Sequence, residues 1–141
     1  MSLTIEESLA KVGASVPPHL DAEAFPEPSS EPQAQGDLLI FPVSDKYMRD
    51  IDLVPVPTEG VQVVFGQATG NSHWLHQGFD SPGVKYARAR RGQRILVFTV
   101  PDGQVAELIH TDEHGIFAFS AGSYAIHDQR EQADEIRRVT D

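Results

Sequence analysis

Residues 94–129, RILVFTVPDGQVAELIHTDEHGIFAFSAGSYAIHDQ, decide the fold class of this chain. Runs of β-branched and aromatic residues alternate here with Pro-Asp-Gly at 101–103 and Ser-Ala-Gly at 120–122, which are typical of turns. The pattern predicts strands at 94–100, 105–110, 114–119 and 123–129.

The same signals continue toward the N-terminus. They predict further strands at 37–43, 51–56, 61–69 and 84–89. About eight short strands without a central helix are typical of a small antiparallel barrel or sandwich. The sequence therefore predicts an all-β domain, followed at 131–139 by a short C-terminal helix or tail.

Length and composition narrow the class of protein. A chain of 141 residues forms one domain, and no stretch reaches the ~20 apolar residues of a membrane span. The absence of cysteine leaves His, Asp and Glu as the strong metal ligands. Glu6 and Glu7 stand where a secretory signal is basic or apolar, so a cytoplasmic location is expected.

The first 36 residues differ from the rest in charge. They hold six acidic residues against one basic residue, and five of the ten prolines. A short helix at 3–12 and an extended stretch at 17–36 predict an acidic arm before a β domain at 37–141. The arm is either a disordered leader or a segment that packs on a neighbouring subunit or partner.

Histidines are the most informative residues of the predicted β domain, which holds five of the six. If 111–113 is a three-residue loop, His110 lies opposite His114. If the strands flanking 120–122 also pair as a hairpin, Asp128 lies opposite His114. His110, His114 and Asp128 would then share one face of the sheet.

Two opposed imidazoles can reach one divalent ion, and a third ligand is expected from His73 or His76. The ligand set we favour has three histidines and an open position, as in catalytic zinc sites, with a carboxylate orienting one ring and another acting as general base. These residues are His73, His110 and His114 as ligands of zinc or another divalent metal, Asp128 as the orienting acid and Glu113 as the base.

Other roles for the histidines stay open. His110 and His114 have the spacing of H-E-x-x-H, but the acid directly precedes the second histidine, so that motif is absent. Hydrogen-bonded structural histidines and proton chemistry without metal both fit the same residues. Whether the protein is an enzyme is left undecided.

Five of the eleven basic residues fall within ten positions of an otherwise acidic chain, whose net charge is −10. They are Lys85, Arg88, Arg90, Arg91 and Arg94. Such a cluster is a charged strand edge, a dock for the acidic arm of a neighbouring subunit, or a site for an anionic ligand. The overall negative charge argues against nucleic acid and membrane surfaces. The alternative to a metal-binding protein is therefore a homo-oligomer or an adaptor, in which the acidic arm docks on a neighbouring subunit or a partner.

The motifs together resemble a group of small bacterial and phage-associated proteins of unknown function. The segments concerned are GDLLIFPV at 36–43, GQATGNSH at 66–73, HTDEHGI at 110–116 and GSYAIHDQRE at 122–131. The resemblance spans about residues 36–139 and implies one β domain with grouped histidines. Asn71 and Gln132 stand where that group has a histidine and an aromatic residue. No activity is implied.

Overall fold

A computed structural model describes residues 4, 27–35, 37–64, 73–110 and 115–128. Within these residues the chain forms eleven strands and one short helix. The strands are β1 Pro28–Ser29, β2 Gln33–Gln35, β3 Leu38–Val43, β4 Val54–Pro55, β5 Val61–Gln62, β6 His73–Gln77, β7 Lys85–Ala87, β8 Arg94–Val100, β9 Ala106–His110, β10 Ile116–Phe119 and β11 Gly122–Asp128, and the helix is α1 Asp45–Met48.

The strands form two sheets that face each other. One has the order β1-β10-β9-β6-β5 and the other β2-β3-β11-β8-β7-β4. Among the described strands every pairing is antiparallel except that of β1 with β10. The predicted all-β class is confirmed as a sandwich, because the described strands stay in two sheets and do not close into one barrel.

Alternate residues of both sheets supply one core. Leu96 and Ile126 of the six-stranded sheet pack in the same cluster as Leu75 and Leu108 of the five-stranded sheet. Such alternation follows from strand geometry, in which successive side chains point to opposite faces of the sheet. The described residues contain no helix of the length and apolarity that a membrane span requires.

Helix α1 covers part of the outer face of the six-stranded sheet. Ser44 caps it by accepting a hydrogen bond from Tyr47 N–H at 3.2 Å. Met48 then packs with Val97 and Ala125 in a second, smaller core. The sequence did not predict this helix, since four residues are too few to show a helical period.

The predicted hairpin between the last two strands is wrong. β10 pairs with β9 and β1, whereas β11 pairs with β3 and β8 in the other sheet. Residues 120–122 therefore carry the chain across the sandwich. The crossing lets Phe119 and Tyr124 pack against each other in the core, with ring centroids 5.1 Å apart.

The predicted register of β9 and β10 is wrong by one residue. Ile116 lies opposite Ile109, and the N–H of His110 donates to the carbonyl of Gly115 at 2.9 Å. A one-residue slip turns every side chain to the other face. The observed register points Phe117 toward the core, opposite Leu108, where the predicted one would have placed the smaller Ile116.

The described part of the predicted arm packs on its own chain. β1 adds to the edge of β10, and β2 adds to the edge of β3. Ser120 N–H also donates to the carbonyl of Ser29 at 3.1 Å. The rest of the arm, apart from Thr4, and the predicted C-terminal segment lie outside the described residues.

Candidate site at the histidine end of the sandwich

Polar side chains collect where β6 begins and β9 ends. We call this region, defined by Gln35, His73, His110 and Asp128, the histidine end of the sandwich. β11 ends there with Asp128, and Gln35 reaches it from the last position of β2. Both sheets therefore contribute to it.

His73 and His110 lie directly opposite each other on β6 and β9. Their ring centroids are 4.2 Å apart and the ring planes are inclined by 41°. The side chains are only 6% and 2% exposed. The structure thus brings together two of the three predicted metal ligands in a buried setting.

Gln35 determines which nitrogen of His73 carries the proton. Its Nε2 donates to the carbonyls of Leu108 at 3.0 Å and Gly115 at 3.2 Å, which only the NH₂ group can do. Oε1 therefore faces His73 Nδ1 at 2.9 Å and accepts its hydrogen. In the neutral ring the lone pair then resides on Nε2.

Sequence analysis missed Gln35 because it lies in the stretch predicted to be an arm. It is 1% exposed and joins β2 of one sheet to β9 of the other. The only local signal is the alternation of Gln33, Ala34 and Gln35 just before β3. A period of two in polar residues does not indicate a buried glutamine.

The remaining predicted site residues have different outcomes. His114 and Glu113 lie outside the described residues. Asp128 is described, but it lies opposite Leu38 rather than opposite a histidine, and its N–H donates to the carbonyl of Gln93 at 3.0 Å. Among the residues that the structure describes, no group of three or more metal-ligating side chains is found.

A second buried polar pair lies on the outer face of the five-stranded sheet. His76 and Glu107 are opposed on β6 and β9 and are almost fully buried. The ring of His76 packs against Gly60, where a Cβ atom would approach His76 Nε2 to 2.4 Å. Glycine at this position therefore makes room for the imidazole, and its φ of +86° also favours glycine.

A small cavity includes in its lining Val63, whose backbone bonds to that of His73. Its volume is about 270 Å³, and it is lined by Val63, Val64, Arg88, Arg90, Ile95 and Asp128. The N–H of Val63 donates to the carbonyl of His73 at 2.7 Å, which connects the cavity wall to β6. We call it the end cavity.

Arg88 is held in place by the backbone of β5 and the residue after it. Its guanidinium donates to the carbonyl of Val63 at 3.2 Å and also to the carbonyl of Gln62. Desolvation lowers the pKa of Arg88, while the charge of Tyr86 acts in the opposite direction. The side chain stays cationic, since an arginine pKa lies far above neutral pH.

The residues of the basic cluster have different neighbours, although Arg88 and Arg94 also line a common cavity beside Tyr86. Arg88 and Arg90 line the end cavity, whereas Arg94 lies over the ring of Tyr47, with 5.4 Å to the ring centroid. Arg94 Nε also donates to the carbonyl of Ala89 at 2.5 Å. Lys85 lies on β7, between β8 and β4, rather than on an edge strand.

His127 belongs to a different environment. Its ring contacts Phe41 edge to face at 4.7 Å, on the outer side of the six-stranded sheet. Desolvation lowers its pKa, and the charge of Arg94 lowers it further. Its Nε2 has no hydrogen-bond partner among the described residues.

Fold and site together define an all-β sandwich with a buried histidine pair at one end. The chain belongs to the family described as Domain of unknown function (DUF8820), which matches residues 34–129. The match begins in β2 and runs past the end of β11. It agrees with the expected unknown-function family but says nothing of a bacterial or phage origin. Neither the curated proteins nor the solved structures give a significant match.

Proposed function

We propose that this protein binds one divalent transition-metal ion at the His73 and His110 pair. The observation that carries the proposal is the buried, directly opposed imidazoles, one of which has its tautomer set by Gln35. Metal-ligating histidines commonly donate their second ring N–H to a neighbouring acceptor, which orients the ring. Gln35 Oε1 supplies that acceptor.

The spacing of the rings supports a shared ion. Two imidazoles bound to one zinc at ~2.0–2.1 Å in tetrahedral geometry have centroids about 5 Å apart. The observed separation is 4.2 Å, so metal binding would require the two rings to move apart by about 1 Å. Zinc is the favoured ion, because imidazole suits it and the chain offers no thiolate.

His114 is the predicted third ligand. It is the residue before Gly115, whose carbonyl accepts hydrogen bonds from both Gln35 and His110. Three histidines would leave a position for water or substrate, where a metal ion acts as a Lewis acid or lowers the pKa of bound water. Glu113 remains the proposed base for such chemistry.

The test is metal content per chain, measured by elemental mass spectrometry on tag-free protein after gentle desalting, followed by zinc titration. We expect about one ion per chain. His73→Ala and His110→Ala should weaken zinc binding at least tenfold, since each removes one of few ligands. His127→Ala is the matched control, since it removes a histidine whose ring packs on Phe41 on the outer face of the six-stranded sheet.

Circular dichroism and thermal unfolding of the metal-free variants show whether each still folds. Loss of zinc with His114→Ala would support the third ligand. The absence of retained metal, together with no uptake of added zinc, would contradict the proposal. In that case His73, His110 and Gln35 form a hydrogen-bonded structural network.

The alternative function, assembly through the acidic arm, rests on charge complementarity between residues 1–36 and the basic cluster. A truncation that removes residues 1–26 is the suitable variant, because β1 and β2 belong to the two sheets. Light scattering should then show a smaller oligomer at unchanged zinc affinity. An unchanged mass would contradict this alternative.

A further inference from the structure

We propose that the end cavity binds a small aliphatic monocarboxylate. No role in the metal site accounts for this cavity, and its lining combines charged groups with an apolar wall. Drug-sized ligands occupy about 300–1,000 Å³. A cavity of about 270 Å³ therefore fits a smaller molecule.

The charged lining selects an anion. Arg88 and Arg90 contribute two guanidinium groups and Asp128 contributes one carboxylate. The lining thus has a net charge of +1, which a single carboxylate neutralises. Guanidinium groups also match a carboxylate in shape, because two parallel N–H donors can reach its two oxygens.

Arg88 and Arg90 both line the cavity, and Arg90 is the better residue to replace in a test. Arg88 also donates to the carbonyls of Gln62 and Val63, so its replacement would disturb the cavity wall itself. Arg90 lies two residues further along the chain and lines the same cavity. Asp128 opposes a second negative charge, so a dianion is disfavoured.

The apolar wall selects the rest of the ligand. Val63 and Ile95 are buried members of the main core, and Val64 packs against that core. The register of β8 and β11 shifts after Ile126, so that Ile95 and Leu96 are both buried members of the core. A short branched chain would contact these side chains in place of water.

The test is a calorimetric or NMR titration of the full chain with 3-methylbutanoate, with acetate and 3-methylbutanol as comparison probes. We expect 3-methylbutanoate to bind at least tenfold more tightly than the alcohol, which lacks the charge. Acetate should also bind at least tenfold more weakly, because each buried methylene group contributes about 0.8 kcal/mol and RT ln 10 is about 1.4 kcal/mol.

Arg90→Gln should weaken 3-methylbutanoate binding at least tenfold. Arg91→Gln is the matched control, since it changes the net charge equally at a neighbouring exposed arginine that does not line the cavity. Its affinity should stay within twofold of the unmodified protein. Equal weakening by both variants would show a general charge effect and overturn the proposal, as would the absence of saturable binding.

This inference is independent of the proposed metal. The titration is run with chelator and with one equivalent of zinc, and on His110→Ala. Carboxylate binding that persists in His110→Ala with chelator supports the cavity even if no metal is bound. Zinc binding without carboxylate binding overturns only the cavity proposal.

Discussion

The two ends of the sandwich are built from different chemistry. Opposite the histidine end, Phe98, Phe119 and Tyr124 form an aromatic end in which all three side chains are fully buried. Their ring centroids are 5.0–5.5 Å apart, and the Tyr124 hydroxyl donates to the carbonyl of Ser120 at 2.7 Å. Desolvation raises the pKa of this hydroxyl, while the bond to Ser120 acts in the opposite direction.

At the histidine end, the buried side chains carry amide and imidazole groups instead of aromatic rings. Gln35 and His73 are nearly as inaccessible as the aromatic residues, yet they depend on hydrogen bonds to offset desolvation. Loss of a partner from such a network leaves the remaining polar groups desolvated and lowers stability, whereas loss of a buried aromatic ring leaves a cavity. We therefore expect the aromatic end to contribute most to stability, and we propose that the histidine end is where a ligand binds.

The largest effect is expected from Phe119→Ala at the aromatic end. Removing a buried phenyl ring that contacts both Phe98 and Tyr124 should lower the free energy of unfolding by about 3–5 kcal/mol. Urea unfolding measures this loss. Zinc affinity of the folded protein should be unchanged. A loss below about 1 kcal/mol would contradict the assignment of stability to this end.

Gln35→Leu should have the next largest effect. Leucine has about the same volume as glutamine. It removes the hydrogen bonds that Gln35 makes with the carbonyls of Leu108 and Gly115 and with Nδ1 of His73. We expect a loss of about 2–3 kcal/mol of unfolding free energy. If the metal proposal holds, zinc affinity should also fall about 10–100-fold.

Gln33→Leu is the matched control for that variant. Gln33 lies on the same strand, and its buried Nε2 has no hydrogen-bond partner among the described residues. The same substitution there should be neutral or stabilising, because it removes a desolvated amide. Equal losses in both variants would mean that β2 tolerates neither change, for reasons unrelated to the histidine network.

Gly60→Ala should have a smaller effect and extends the comparison to the outer face of the five-stranded sheet. The new methyl group would meet the ring of His76 at 2.4–2.8 Å. Gly103→Ala is the control, since Gly103 has a similar positive φ of +77° but nothing within 4 Å of the added atom. Gly60→Ala should cost about 1–2 kcal/mol more than Gly103→Ala in chemical unfolding. Equal losses of unfolding free energy in the two variants would mean that the positive φ, and not contact with His76, causes the destabilisation.

The strands differ in how well the sequence predicted them. Strands β8, β9 and β11 were expected within two residues of their observed bounds, because their β-branched and aromatic residues are bounded by clear turn signals. β6 was not among the predicted strands, since HWLHQ places polar residues on both of its faces, and both faces are largely buried.

Local sequence patterns could not predict which strands pair with each other. Residues 120–122 indicate that the chain changes direction, but not which sheet the next strand joins. His73 meets His110 only because β6 pairs with β9, although 28 residues separate the two strands in the sequence. The role of Gln35 depends on three contacts of this long-range kind.

The smallest predicted effect is on the pH dependence of stability at His127, which lies on the outer face of the six-stranded sheet. Burial lowers its pKa below the unfolded value of about 6.5, so the folded protein binds fewer protons than the unfolded chain. Its contribution to stability is complete above about pH 6.5 and is lost as the pH falls through the lowered folded pKa. His127→Gln should therefore flatten the rise of the urea midpoint with pH in this range. Parallel curves for both proteins would contradict the prediction.

Arg94→Gln should raise the pKa of His127, measured by NMR titration, because it removes the second cause of the shift.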